Sequence, residues 1–330
     1  MFDTSGIYSS VWQVGFAIIH LLSILGAMKN VSFKLIAFVI CLTLLDVALG
    51  ILIKPILLDE PDAGNNHSNF KQSLYDKEAD IVILGASKAN HHYIPDSISK
   101  QLNLSVLNTG LDGDNVITSW IQFKSITQRH VPKIVIIDVS AGQTAGDYQS
   151  LLLSHKCYYG INNEYTNAVN ELVDKSTSIK LYSNLYKLNE ALPDILQSYL
   201  SGNKLTSGFI PLHGTNSTLV YQKKTTGESS ARWGGQYQIE DAFRTALNEI
   251  VDYCKVNSID AYMVYSPTLI SYTDGVTNAY AQYCSDKSIK FLNYEDDSLF
   301  VNHPEYFKDY NHLNDKGAKV FTNDFINEIK

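Results

Sequence analysis

The stretch of sequence that most constrains the fold is residues 79–87, Ala-Asp-Ile-Val-Ile-Leu-Gly-Ala-Ser. Its run of branched apolar residues, 81–84, predicts a strand buried on both faces of a parallel sheet, and the Gly-Ala-Ser that follows predicts a turn into a helix. Ser87 is therefore expected at the carboxyl end of a strand, the edge at which open α/β sheets bind ligands. A serine there is either the cap of the next helix or a nucleophile that needs a base.

The rest of the chain alternates short apolar runs with longer amphipathic segments. Further strands are predicted at residues 105–107, 133–139, 259–265 and 289–292. Helices are predicted at residues 95–101, 116–130, 237–256, 276–286 and 315–329. This alternation predicts an α/β fold: a three-layer α/β/α arrangement around a five-stranded parallel sheet.

Residues 141–236 interrupt the alternation. They contain two predicted helices, 163–175 and 179–200, followed by a polar stretch rich in glycine. A segment of this length before the sheet resumes predicts an inserted lid or subdomain within a domain that spans residues 79–330.

The first 58 residues predict a membrane anchor. Residues 33–53 form an apolar run long enough to cross a bilayer, and residues 11–27 predict either a second, marginal span or an interfacial segment. Lys29 and Lys34 place the connection between them in the cytoplasm, although Met28 before them also has the form of an alternative start. The globular part is then expected on the extracytoplasmic side of the cytoplasmic membrane. Asp46 lies within the predicted span, with His20 as the one candidate partner in the neighbouring apolar segment.

Residues 59–78 combine proline, glycine, paired asparagines and charges without a period, which predicts a solvated linker. The net charge of the chain is −8, and no cluster of basic residues is present, so a nucleic-acid partner is not expected. The four cysteines show no metal-binding spacing, and no metal or cofactor is predicted. Cys254 and Cys284 are either free buried thiols or, in an exported domain, a disulfide.

A candidate base lies near the carboxyl terminus, in the loop before the last predicted helix. Asp309 precedes His312 by three residues, a spacing that lets the carboxylate hold one ring nitrogen while the other faces Ser87. The loop follows the fifth strand, so both residues are expected at the sheet edge that carries Ser87. Together these residues predict a Ser-His-Asp catalytic triad.

At these positions the sequence resembles the SGNH (GDSL-like) hydrolases, whose sheet is flavodoxin-like. Residues 83–87 are similar to the first block of that family, residues 108–114 to the second, and Asp309 with His312 to the fifth. The resemblance implies that the backbone N–H of Gly113 donates to the oxyanion. The third block departs from the family pattern, because residues 140–144 lack its usual asparagine, and Gln143 is the candidate replacement.

The layout also resembles membrane-anchored branches of this superfamily, such as alginate O-acetylation proteins and the D-alanyl transfer protein of teichoic acids. The expected function is an exported serine esterase or O-acyltransferase that acts on acyl esters of a cell-envelope or extracellular glycan, or on a small ester. Transfer would imply a multi-span acyltransferase as partner. The alternative is a weakly active or inactive scaffold of the same fold in an envelope assembly complex, a reading favoured by the missing asparagine.

Overall fold

A computed structural model describes residues 31–59, 63, 65–202, 206–215, 218–227 and 234–330, and its centre is a parallel β-sheet. The strands in the described part of the chain are β1 (Ile81–Leu84), β2 (Val106–Asn108), β3 (Ile134–Asp138), β4 (Gln222–Lys224), β5 (Asp260–Tyr265), β6 (Ile270–Tyr272) and β7 (Lys290–Asn293). Five of them form the sheet in the order β2-β1-β3-β5-β7, all parallel, and β4 pairs with β6 in a separate parallel ribbon. The predicted α/β fold with a five-stranded parallel sheet is confirmed.

The described part of the chain contains fourteen α-helices, several of which cover the two faces of the sheet. They are α1 (Val31–Leu58), α2 (Asn66–Lys71), α3 (Ser87–His92), α4 (Pro95–Leu102), α5 (Val116–Thr127), α6 (Tyr148–Ser154), α7 (Asn163–Leu172), α8 (Lys175–Lys180), α9 (Asn184–Leu188), α10 (Leu192–Ser201), α11 (Asp241–Val256), α12 (Val276–Asp286), α13 (Ser298–Val301) and α14 (Asp315–Ile329).

Alternate residues of the central strand face opposite layers. Val82 and Leu84 join the hydrophobic cluster that includes side chains of α5 and α11, whereas Ile81 and Ile83 join the cluster that includes α4 and α14. All four side chains are fully buried, which explains why β1 is a continuous apolar run and not an alternating one. Cys254 and Cys284 are free thiols in the first of these clusters.

The predicted helix over residues 179–200 is wrong in its continuity, because three short helices, α8, α9 and α10, occupy this part of the insert. Asp174 and Ser183 cap the amino-terminal ends of α8 and α9 with their side chains, and Pro193 lies in the first turn of α10. A side-chain cap offers the backbone an alternative to continuing the helix, and proline is favoured only in a first turn. The same residues therefore divide the segment.

The predicted solvated linker is also wrong over much of its length. Residues 66–71 form α2, a π-helical turn continues it over Gln72–Asp76, and Phe70 and Leu74 are buried in the main hydrophobic cluster. Asn65 caps α2 in a capping box with Ser68. The folded domain thus begins near residue 65, about one helix earlier than the sequence indicated.

Helix α1 is the one helix among the described residues that is long and apolar enough to cross a membrane, with a mean hydropathy of 2.8 over its most apolar window. Its first half projects from the domain with most side chains exposed, and its second half packs on the insert, where Leu57 is fully buried. Asp46 accepts hydrogen bonds from the Ser183 hydroxyl and from the backbone N–H groups of Asn184 and Leu185. His20 and the predicted segment 11–27 lie outside the described residues.

The burial of α2 predicts a large effect for Phe70→Ala. The ring is fully buried and stacks on His155, with centroids 4.0 Å apart. Truncation should lower the free energy of unfolding of the full chain in detergent by about 3–5 kcal/mol, measured by denaturant titration. Val256→Ala, at an apolar residue that is 83% exposed on α11, is the control and should change stability by less than about 0.5 kcal/mol. Equal, small effects of both variants would show that residues 65–76 behave as a solvated linker.

Candidate active site

The turn between β1 and α3 depends on Gly85. Its φ is +149°, and a Cβ at this position would lie 2.8 Å from the backbone oxygen of Asp138 at the end of β3. The chain can therefore leave the sheet this close to β3 only with glycine. Ala86 is the residue before α3 and makes no side-chain cap, so Ser87 is the first residue of the helix and not its cap.

The Ser87 hydroxyl contacts the predicted base. His312 Nε2 lies 2.7 Å from Ser87 Oγ, and His312 Nδ1 lies 2.9 Å from each carboxylate oxygen of Asp309. All three side chains are neither fully buried nor fully exposed. The geometry matches a Ser-His-Asp triad in which the carboxylate fixes the tautomer and orientation of the imidazole.

The loop that carries Asp309 and His312 is held by its own backbone. An isolated antiparallel bridge joins Phe307 to Leu313, and Asp309 Oδ1 accepts the N–H groups of Asn311 and His312. Burial raises the pKa of Asp309, but the hydrogen bonds from His312 and the two amides outweigh it, so the pKa lies below its usual value. The carboxylate is thus ionised when the imidazole needs a counter-charge.

A second loop, after β2, packs against the helix that begins with Ser87. A Cβ on Gly110 would lie 2.2 Å from the backbone nitrogen of Asn90, so only glycine permits this approach. Asn90 Nδ2 also donates to Asp112 Oδ1 at 2.9 Å. Gly113, next in the chain, is exposed with φ +76°, and its backbone N–H has no hydrogen-bond partner among the described residues. It is therefore available as a donor, and the oxyanion role predicted for it stays a prediction.

No pattern in the sequence indicates that α2 holds this loop. The Asn66 side chain binds the backbone of Asp112 at both groups, accepting from its N–H at 2.9 Å and donating to its carbonyl oxygen at 3.1 Å. Asn69 donates to the carbonyl oxygens of Gly110 and Gly208. The apolar pair Phe70 and Leu74, four residues apart, was the one sequence signal for a packed helix here.

His91 forms a second histidine–carboxylate pair beside the triad. Its Nε2 lies 3.0 Å from Asp112 Oδ1, its Nδ1 lies 2.6 Å from the carbonyl oxygen of Ile210, and its ring centroid lies 5.6 Å from that of His312. Because both ring nitrogens face acceptors, the arrangement favours the doubly protonated imidazolium. Burial lowers the pKa of His91, but the hydrogen bond and charge of Asp112 outweigh it and raise the pKa above its usual value.

Buried polar side chains next to the site hold the surrounding structure in place. Leu313 N–H donates to His92 Nε2, so His92 is neutral at that nitrogen, and its Nδ1 faces the Ser266 hydroxyl. Lys88 is buried over the Tyr265 ring, and burial lowers its pKa to about 8 despite the nearby negative charge of Asp138. Burial raises the pKa of Asp138 to about 6.

Gln143 is placed differently from a free oxyanion donor. Its side-chain oxygen accepts the backbone N–H of Ser140 at 3.1 Å, and its amide nitrogen is buried without a hydrogen-bond partner among the described residues. The amide is thus an unused donor that a carbonyl from solvent cannot reach in this conformation. The role predicted for Gln143 stays a prediction.

Comparison with known proteins gives a likeness of fold. No family model matches the sequence, and no curated protein does. A candidate acylhydrolase from Bacteroides fragilis is 13% identical, with a TM-score of 0.37 over 82% of this chain and 99% of that one. A candidate lipolytic protein of the G-D-S-L family from Desulfitobacterium hafniense is 13% identical, with a TM-score of 0.36 over 75% and 97%. A GDSL-like lipase from Bacteroides thetaiotaomicron is 12% identical, with a TM-score of 0.37 over 82% and 100%.

The pair of His91 and Asp112 predicts a pH-dependent contribution to stability. The pKa of His91 is raised and that of Asp112 is lowered, where for Asp112 burial is outweighed by the hydrogen bond from His91. The histidine contribution is complete below its unfolded pKa of 6.5 and is lost as pH rises through the folded value. The carboxylate contribution is complete above 3.8 and is lost as pH falls through its folded value.

His91→Gln should therefore lower the thermal unfolding temperature more at pH 5.5 than at pH 9. His130→Gln is the control, because His130 lies on the surface, with its Nδ1 3.9 Å from an exposed Glu78 carboxylate. The same loss of stability at both pH values for His91→Gln would contradict an imidazolium at this position.

Proposed function

We propose that this protein is a membrane-anchored serine esterase or O-acyltransferase that acts on acyl esters of a cell-envelope glycan. The observation that carries the proposal is the continuous contact from Ser87 Oγ through His312 to Asp309, at 2.7 Å and 2.9 Å. A helix cap or a packing histidine would not require this chain of contacts, whereas an activated nucleophile does.

The reaction follows from the placement of these groups. His312 Nε2 accepts the proton of Ser87 as Oγ attacks the acyl carbonyl, and Asp309 stabilises the imidazolium that forms. His312 then returns the proton to the leaving alcohol, which leaves an acyl group on Ser87. A second nucleophile, activated by the same imidazole, removes the acyl group and restores the serine. Water completes an esterase cycle, and a sugar hydroxyl completes a transferase cycle.

The oxyanion of the tetrahedral intermediate is assigned to two backbone donors, the N–H groups of Ser87 and Gly113. Ser87 opens α3, where the first N–H groups of a helix have no intrahelical acceptor. A missing third donor costs about 10² to 10³-fold in turnover in other enzymes of this kind of chemistry. The enzyme is therefore expected to be slow unless Gln143 turns its amide toward the substrate.

A polar cavity supports a glycan as substrate. The cavity has a volume of about 370 Å³ and adjoins Gly113. Its lining includes Asn66, Asp112, Asp114, His155, Glu190 and Asp194. Hydroxyl-rich ligands suit such a lining better than an acyl chain does, because an acyl chain would leave its polar groups unpaired. The carboxylates favour a neutral or cationic sugar over a polyanionic one.

Helix α1 supports anchoring in the cytoplasmic membrane. Its apolar surface is exposed along the first half, and Lys34 lies near its amino-terminal end. By the positive-inside rule this end is cytoplasmic, so the sheet and its active site are assigned to the extracytoplasmic side. If the acyl group is transferred, the donor has to cross or reach this membrane, which implies a multi-span acyltransferase as partner.

The second candidate function is a non-catalytic scaffold with the same fold. The buried amide nitrogen of Gln143 favours a scaffold, because the oxyanion site then lacks a side-chain donor beside the two backbone N–H groups. A scaffold would retain the geometry of Ser87 and His312 without an activated nucleophile.

Fluorophosphonate labelling of the detergent-solubilised protein separates the two functions. The wild-type chain should label, Ser87→Ala should not, and Ser97→Ala, a half-buried serine on α4, should label as the wild type does. Ser87→Ala should also lower hydrolysis of p-nitrophenyl acetate by about 10³-fold or more. A wild-type protein that neither labels nor hydrolyses the ester would favour the scaffold.

Substrate choice and outcome are tested with two acetylated polymers. O-Acetylated chito-oligosaccharide should lose its ester acetate faster than an O-acetylated polyuronate, because the cavity carboxylates repel the uronate groups. Adding unacetylated chito-oligosaccharide as acceptor should produce acetylated acceptor if the enzyme is a transferase, detected by mass spectrometry. A preference for the polyuronate would refute a neutral or cationic sugar as the ligand of the cavity.

A further inference from the structure

Six exposed apolar side chains lie on the insert near α1. They are Ile179, Tyr182, Leu185, Leu196, Tyr199 and Leu200, called here the insert surface. Leu196, Tyr199 and Leu200 share one face of α10, while Ile195 and Ser198 on the other face are buried. Tyr182 is 77% exposed and Leu200 is 84% exposed. Exposed apolar residues that are grouped on one helix face and on the segment just before it are typical of a surface that contacts a partner or a membrane.

The insert is docked on the helix that is proposed to cross the membrane. Asp46 of α1 accepts hydrogen bonds from Ser183 and from the first N–H groups of α9. A Cβ on Gly50 would lie 2.5 Å from the Asn184 side chain, so α1 and α9 approach as closely as glycine allows. Helix α10 also contacts α1. The insert surface therefore keeps a fixed position relative to α1.

The depth in the bilayer of the contact between Asp46 and α9 decides what covers the insert surface. The predicted span ends at residue 53, seven residues after Asp46, which corresponds to about 10 Å along the helix axis. If residues 33–53 lie in the bilayer, α9 has to lie at the level of the headgroups and the adjacent acyl chains. Amphipathic elements enter this zone by about 5–10 Å, with aromatic side chains at the boundary. Tyr182 and Tyr199 are suited to that position.

Asp46 fits the same depth. A carboxylate in an apolar helix is costly unless polar groups satisfy it, and the insert supplies a hydroxyl and two backbone donors. The insert therefore has to accompany Asp46 to the membrane boundary.

We propose that the insert surface enters the interface of the bilayer that holds α1, so that α8, α9 and α10 form a second, peripheral membrane contact of the domain. The proposal rests on the membrane anchoring proposed above. It does not depend on the catalytic role of Ser87. The occupant of the surface is lipid; residues 11–27 of this chain, a second copy or another protein are the competing occupants.

The test places an environment-sensitive fluorophore on the surface of the full chain in phosphatidylcholine–phosphatidylglycerol vesicles. Cys41, the one cysteine of the described residues that is not buried, is replaced by serine, and NBD is attached at Leu200→Cys or, as control, at Val256→Cys. The two parent residues are matched in exposure, at 84% and 83%, and Val256 ends α11, which contacts α5 and β5. Lipids with a nitroxide near the headgroup and aqueous iodide serve as the two quenchers.

The label at position 200 should be quenched at least twofold by the nitroxide lipid and weakly by iodide, and the label at 256 should show the reverse. Strong iodide quenching at 200, equal to that at 256, would overturn the proposal, because the surface would face water. Protection from both quenchers would also overturn it, because protein would then cover the surface.

Two further samples test the docking contact and the membrane anchor separately. Asp46→Leu removes the docking contact while leaving α1 apolar, so nitroxide quenching at 200 should fall toward the level at 256. A label on the native Cys41 reports on α1 itself, and absence of its quenching by lipid would refute the anchor and this surface together. Fluorophosphonate labelling of Ser87 is measured on the same samples, so a failed membrane contact and a failed catalytic assignment give different results.

Discussion

The active site depends on two places where backbone approaches backbone without room for a side chain. At Gly85 the chain leaves β1 against the end of β3, and at Gly110 the loop after β2 packs on the backbone of Asn90. These contacts bring three segments, distant in sequence, to the amino-terminal end of α3. Ser87 then faces His312, and Asp112 faces His91, on a frame held by main-chain packing and buried hydrogen bonds. Preorganisation of this kind is what a nucleophile and its oxyanion donors need.

Much of the sheet could be predicted because its signals are local. Residues 81–84 and 134–137 are continuous apolar runs, and a run buried on both faces has few alternatives to a central parallel strand. Ser87, Asp309 and His312 could be proposed together because a parallel sheet brings the carboxyl ends of its strands to one edge. The contact between Ser87 and His312, which are more than two hundred residues apart in sequence, is visible only in the folded chain.

The parts that could not be predicted depend on tertiary contacts. Asn66 looked like one polar residue among several in a solvated stretch, and its role arises because Phe70 anchors α2 in the core and turns the asparagine toward Asp112. For Asp46 the sequence offered only His20 as a candidate partner, because Ser183, which donates to it, lies 137 residues away. The ion pair of His91 could not be predicted either, because its two acceptors, Asp112 and the carbonyl of Ile210, come from separate loops. Polar residues whose partners are distant in sequence carry no local pattern.

Because residues 65–76 are folded, the domain can reach less of the space around α1 than a flexibly tethered domain could. A flexible tether of twenty residues would let a domain sweep a radius of about 25 Å around its anchor, and would let it work at many heights above the bilayer. Here Asp46 and Gly50 dock the insert on α1, and Asn66 links the segment after α1 to the loop of Gly113. If α1 crosses a membrane as proposed, Ser87 consequently has one height above the bilayer and one orientation. Under the proposed function, a polymeric substrate would have to reach Ser87 at that height, as a chain does while it is being extruded at a membrane surface.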